Sequence, residues 1–190
     1  HYPKAYFNLS LVELILGEYE SGLINYEHRE NILPIHANPK NKKIDYLKFK
    51  KEDKLLVISE QGLGDTLQYM RYIPYLRNQG YDISFCAQPE LHSLIKASGI
   101  DSNPLTSEQA NRIREGYWIP LLSLARYLKI NPDNPIVSGP YIYSTEELKE
   151  KWENILSQEK KLIIGINWQG NKKTEDTYKG RSIPLEAFSI

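Results

Sequence analysis

A short apolar run that breaks into a glycine turn and then into a helical stripe constrains this chain more than any other feature. Leu55-Leu-Val-Ile58 has the length and β-branching of a strand buried on both faces. It leads through Ser59-Glu-Gln-Gly-Leu-Gly64 into a segment where Leu67, Met70, Ile73 and Leu76 recur at three-residue steps, an apolar stripe for packing on a sheet. Strand, glycine turn and helix start together make an α/β unit with backbone N–H groups open to a ligand. Asp65 and Thr66 stand where the helix begins, as expected N-cap residues. Asp65 is thereby expected at the carboxyl end of a strand, facing an open cleft, where doubly wound sheets hold their ligands.

Two familiar nucleotide motifs do not fit. The dinucleotide fingerprint needs a small residue three places after Gly64, and Leu67 fills that place. A phosphate-cradling Gly-Lys-Ser/Thr occurs nowhere in the chain. The plainest alternative is that Gly62 and Gly64 only make a tight turn and Asp65 only caps a helix. A nucleotide-binding module of another kind needs nothing beyond the turn.

Further units follow along the chain. Residues 3–31 read as a helical hairpin, with Ala5, Leu9, Val12 and Leu16 on one face of its first helix and Gly17-Glu-Tyr19 as the break. Pro34, Pro39 and a lysine run (Lys40, Lys42, Lys43, Lys48, Lys50, Lys51, Lys54) make a connection with interleaved acids. Beside Tyr46 and Phe49 that run has the chemistry to touch nucleic acid, but a solvated linker accounts for it better. Ile83–Ala87 and Tyr117–Ile119 read as strands, and Ile100–Leu105 as the remains of another. Pro89 starts a helix stopped by Gly99, and Thr145 starts a periodic helix with Leu148, Trp152 and Ile155 on one side. Lys161–Trp168 reads as a strand opening a new unit.

The order Ala5-Tyr-Phe-Asn-Leu9, Gly17-Glu-Tyr-Glu20, Gly22-Leu23 and Tyr26 resembles a tetratricopeptide repeat. Three other places resemble bacterial glycosyltransferase-like proteins in which such repeats precede a GT-B domain related to heptosyltransferases and O-GlcNAc transferases. They are Ser59–Tyr72, the stretch Pro120-Leu-Leu-Ser-Leu124, and Gln169-Gly-Asn-Lys172 with Arg181-Ser-Ile-Pro-Leu185. The resemblance implies an α/β fold: a Rossmann-like parallel sheet forming the N-terminal half of a GT-B fold, preceded by a tetratricopeptide-like hairpin. It divides the chain into a hairpin at 1–36, a linker at 37–53, the Rossmann-like domain at 54–160 and the start of a nucleotide-sugar domain at 161–190. It further implies inverting, metal-independent transfer of a sugar from a nucleotide-sugar to an acceptor hydroxyl. Asp65 matches the acid that serves as general base, although other residues take that role in the O-GlcNAc transferases. Gln61, Gly62, Gly64, Thr66, Gln68, Gln169, Asn171, Lys172, Arg181 and Ser182 are the implied donor and substrate contacts, with Lys172 or Arg181 neutralising a leaving diphosphate. For Ser123 an ordinary helix-start hydroxyl is the simpler account.

Composition sets the remaining bounds. Formal net charge is zero, so no global field argues for nucleic acid or an anionic membrane. Hydrophobic content of 41% without an apolar run near 20 residues argues against a membrane span. The single Cys86 excludes an intrachain disulfide and a cysteine-built metal site; a cytoplasmic setting is expected, with no cofactor. Starting at His1 inside a helix pattern, the chain reads as a piece of something longer and is expected to lack transferase activity by itself. A single repeat leaves its apolar face partly bare. Self-association through the hairpin or through an unpaired edge strand, and a protein partner on the hairpin, are therefore expected. The rival reading is an interaction scaffold whose α/β domain carries no chemistry.

Overall fold

The structure is a computed structural model that describes residues 2–44, 50–136, 139–168 and 182–188. It divides into two compact units, His1–Thr145 and Glu146–Ile190.

The first unit opens on α1 (Pro3–Leu16) and α2 (Tyr19–Tyr26), joined at Gly17, whose φ of 86° is the left-handed conformation a helix C-cap favours. The two helices run antiparallel. Leu14 lies over Gly22, Asn25 Nδ2 donates to Glu13 Oε2 at 2.8 Å, the Phe7 and Tyr26 rings are 5.8 Å apart, and Tyr6 stacks on His28 at 4.7 Å. Gly22 permits the close approach: a Cβ there would stand 2.9 Å from the Leu14 side chain. The inward side of α1 is built from Phe7, Ser10 and Leu14, while Leu9, Val12 and Leu16 are exposed. The stripe read from the sequence is therefore the bare face of the hairpin. A 3-10 turn, Glu27–Asn31, ends it.

A four-stranded, fully parallel sheet follows, built from β1 (Lys42–Lys43), β2 (Lys54–Ile58), β3 (Asp82–Cys86) and β4 (Tyr117–Pro120) in the order β1-β4-β2-β3. The lysine-rich connection thus supplies an edge strand. Alternation along β2 sorts its side chains to two faces. Leu55 and Val57 join Met70, Ile73, Leu76, Phe85, Ile95 and Ile119 in the larger core; Leu56 and Ile58 join Ala37, Cys86 and Ala110 in a smaller one. Burying each such aliphatic side chain is worth roughly 1.5–3 kcal/mol.

β2 leads into α3 (Leu63–Tyr69) and α4 (Tyr72–Asn78), two helices where the apolar stripe predicted one. Pro74 explains the break. It has no N–H to give the carbonyl of Met70, and its ring crowds that carbonyl. Ile73 N–H bonds Met70 O at 3.0 Å instead, a tighter turn. β3 leads through α5 (His92–Ala97) and α6 (Ser107–Ala110) to β4. Between these helices Leu105 bridges Cys86 in parallel, all that forms of the strand read at 100–105. α7 (Leu124–Tyr127) follows β4.

The second unit contains α8 (Glu146–Leu156), with Leu148, Trp152 and Ile155 about half exposed. Residues 162–168 correct the sequence reading, because they form no strand. A strand is a paired state, and among the described residues no second strand of this unit lies beside them. Leu162 and Ile164 stay exposed, and Ile183 N–H bonds Trp168 O at 2.9 Å at the end of the segment. Among the described residues no helix is long and apolar enough to cross a membrane.

Candidate functional site

The strand order reverses beside β2: the chain goes to β3 on one side and returns to β4 on the other. In doubly wound sheets the carboxyl ends of the strands flanking such a reversal form the ligand crevice. Here those ends are Ser59–Gly62 after β2 and Leu121–Ser123 after β4.

The loop after β2 is tightly specified. Glu60 is 1% exposed and bridges Ile35 in antiparallel fashion. Gln61 holds φ at 60°, a left-handed conformation that disfavours a non-glycine residue by roughly 1–2 kcal/mol. Its amide Nε2 donates to the Tyr26 hydroxyl at 3.4 Å. Gly62 is the N-cap of α3, displacing Asp65 and Thr66 from the position expected of them. Asp65 sits two residues into the helix, half-buried, and its Oδ2 accepts the Gly62 N–H at 3.0 Å. A carboxylate in a first turn also opposes the partial positive charge of the helix start.

The predicted residues therefore separate. Gln61, Gly62, Gly64 and Asp65 share the loop. A Cβ at Gly64 would meet nothing within 4 Å, so crowding by the protein does not require glycine there. Thr66 is buried and turns inward, its hydroxyl donating to Gln88 Oε1 at 2.9 Å. Gln68 is exposed one turn on, its carbonyl accepting Arg71 Nε at 3.0 Å. Gln169, Asn171, Lys172 and Arg181 lie outside the described residues, and Ser182 belongs to the second unit.

The crevice itself is occupied by a residue that the sequence did not single out. Arg29, from the turn after α2, is fully buried between the two strand ends. It grips Glu60 with two prongs, Nε to Oε2 at 3.0 Å and Nη2 to Oε1 at 2.7 Å. Nη2 also donates to Ser123 Oγ at 2.8 Å, and Nη1 to Tyr26 O at 3.1 Å and Glu27 Oε1 at 3.2 Å. Each of the five guanidinium N–H groups thus has an acceptor. Glu60 Oε1 additionally accepts Leu122 N–H at 3.1 Å, closing the gap between the ends of β2 and β4. Burial by itself would favour a neutral Arg29. The hydrogen-bonded Glu60 carboxylate outweighs it and raises the guanidinium pKa above its ordinary value. Burial likewise raises the Tyr26 phenol, partly offset by the Gln61 bond. Ser123 does stand at the helix start, as the N-cap residue of α7, but its hydroxyl makes no capping bond and instead accepts from Arg29. The signal for the pair was one arginine in Glu27-His-Arg-Glu30 and one acid directly after an apolar strand, neither of them periodic.

A second concavity of about 390 Å³ lies between α2 and the segment after α7, lined by Tyr19, Leu23, Ile24, Arg126, Lys129 and Ile130. No family model, curated protein or solved structure matches this chain.

Proposed function

We propose that the chain carries the Rossmann-like N-terminal half of an inverting, metal-independent GT-B glycosyltransferase fold, preceded by a tetratricopeptide-type hairpin, with Asp65 as general base. The observation that supports this reading is where Asp65 stands. It occupies the first turn after the central parallel strand, at the carboxyl edge of the sheet beside the strand-order reversal, and is half-exposed.

In this reading the acceptor hydroxyl gives its proton to Asp65 as its oxygen bonds the anomeric carbon. The bond from that carbon to the donor's phosphate oxygen breaks, and the nucleoside diphosphate leaves from the opposite face with the bonding electrons. The capping bond from Gly62 N–H orients the carboxylate through Oδ2. General-base help of this kind is typically worth ~10²–10⁴-fold. Donor contacts in the first unit fall to Gln61, Gly62, Gly64 and Gln68, while Thr66, turned inward onto Gln88, shapes the helix start instead. Contacts from Gln169, Asn171, Lys172, Arg181 and Ser182 rest on the resemblance.

The test is release of nucleoside diphosphate from a panel of nucleotide-sugars by the protein in its native reading frame. Asp65→Asn should lower turnover ~10²-fold or more while barely changing stability. Turnover with no donor, or turnover unchanged in Asp65→Asn, overturns the assignment.

A second reading has its own support. Because the Arg29–Glu60 pair fills the crevice and α1 exposes Leu9, Val12 and Leu16, the chain also suits an interaction scaffold with a silent α/β domain. A scaffold turns over no donor and is indifferent to Asp65→Asn.

A further inference from the structure

We infer that Arg29 is a positioning residue: through Glu60 and Gln61 it ties the helical hairpin to the loop that presents Asp65, so the loop keeps its shape only while the hairpin is docked. The loop's most demanding feature is the left-handed backbone of Gln61, which persists where the surroundings over-determine it. The side-chain part of those surroundings comes from the hairpin, beside a long bond from Gln88 Nε2 to the Gln61 carbonyl at 3.5 Å and the bridge from Ile35 to Glu60. Arg29 clamps Glu60 immediately before Gln61 with a two-pronged ion pair, and the Tyr26 hydroxyl takes the Gln61 amide immediately afterwards in the same linkage. Tyr26 is itself held by Arg29, whose guanidinium lies 4.7 Å from the ring centroid and bonds the Tyr26 carbonyl. From Gln61 the geometry passes directly to Gly62, the N-cap, and to Asp65, which receives its N–H. Ser123 and Leu122 N–H fix the other side of the same carboxylate–guanidinium pair to the end of β4. A shift of the hairpin therefore moves the Asp65 loop, while the strands, held by their own ladder and core, stay in place.

The consequence for turnover rests on the role proposed for Asp65, but the loop's order is measured without it. Hydrogen exchange is followed at the amides of Gly62 and Thr66, which are bonded within the loop and first turn, and at Leu55–Ile58 in β2. Arg29→Met alone strands a buried carboxylate and risks unfolding the chain. The decisive variant is Arg29→Met/Glu60→Gln, which removes both charges and keeps an acceptor for Leu122 N–H. Gly62 and Thr66 should then exchange about ten-fold faster or more, with β2 unchanged, the mark of a local opening. Arg29→Lys, which keeps the charge and loses the fork, should fall in between. Unchanged exchange at Gly62 and Thr66, or an equal loss of protection in β2, overturns the inference. Failure of the glycosyltransferase reading appears separately, as absent donor turnover with the exchange result intact.

Discussion

Removing one half of the Arg29–Glu60 pair should cost far more than removing both. In Arg29→Met the Glu60 carboxylate, 1% exposed, keeps only Leu122 N–H as a donor in place of three. Stranding a buried charge in this way costs about 3–5 kcal/mol. Against a total stability of roughly 5–15 kcal/mol for a domain, that is a large fraction. With a urea slope of about 2 kcal/mol/M, the unfolding midpoint should fall by about 1.5–2.5 M. In Arg29→Met/Glu60→Gln no charge is buried. What remains is a lost donor for Ser123 Oγ, Tyr26 O and Glu27 Oε1, and Glu27 is the most exposed of the charged partners. That residue of cost should be about 1–2 kcal/mol. Arg29→Met and the double variant thus differ by about 1–4 kcal/mol. Because Glu60→Gln strands the buried guanidinium in its turn, the completed cycle should give a favourable coupling at least that large between the two side chains. The assay is equilibrium urea unfolding followed by far-UV circular dichroism. If Arg29→Met is no less stable than the double variant, the charge at Glu60 is not held by Arg29 and the reasoning fails.

Glycine positions give a steric contrast. A Cβ at Gly116, where φ is 72°, would stand 2.4 Å from the Lys54 carbonyl oxygen, whereas one at Gly99, where φ is 67°, would meet nothing within 4 Å. Gly99→Ala should cost about 1 kcal/mol from backbone strain alone, and Gly116→Ala a further 1–3 kcal/mol from the clash, read from urea midpoints. Cys86 tests the small core. Burial, and secondarily the charge of Glu108, push its thiol up to about 12, so native protein should resist iodoacetamide at pH 8 while unfolded protein reacts. Because the folded value is the higher one, this contribution is full below the ordinary thiol range near 8.5 and is lost as pH rises toward 12, by about 1.4 kcal/mol per unit. Cys86→Ala should show a correspondingly flatter decline between pH 9 and 12. Equal slopes would mean that the thiol is not desolvated in the fold.

What could be read from the sequence was what local physics decides. Leu55–Ile58 is a strand because four consecutive apolar residues suit a position covered on both faces, and Val57 and Ile58 are fully buried there. The hairpin was legible from its spacing, but which face it buries was not, since α1 is apolar on two sides and Gly22 selects the one that α2 approaches. Lys42–Lys43 carries no strand pattern at all; it pairs with β4 because the chain passes that edge, and an edge strand tolerates charge. Lys161–Trp168 shows the converse, a strand-like pattern with no pairing in its own unit among the described residues. Pro74 could have been read as a helix break four residues upstream, and the apolar stripe obscured it.

The candidate site divides along the same line. Motif spacing found the loop, because a turn with two glycines leaving an apolar strand is a local event. It could not find Arg29, which is brought to Glu60 across 31 residues by the docking of the hairpin. Yet that pair decides what the motif can do. A crevice lined by a loop alone would be shaped by any ligand that entered it, whereas here both strand ends already converge on one carboxylate and one guanidinium with all donors used. A ligand at this edge must therefore bind above the pair, against Gln61–Asp65, or break it. Breaking it would expose two buried charges to a competitor at a cost of several kcal/mol. Binding above it leaves both charges in place and confines contact to Gln61–Asp65, where the half-exposed Asp65 stands in the first turn of α3.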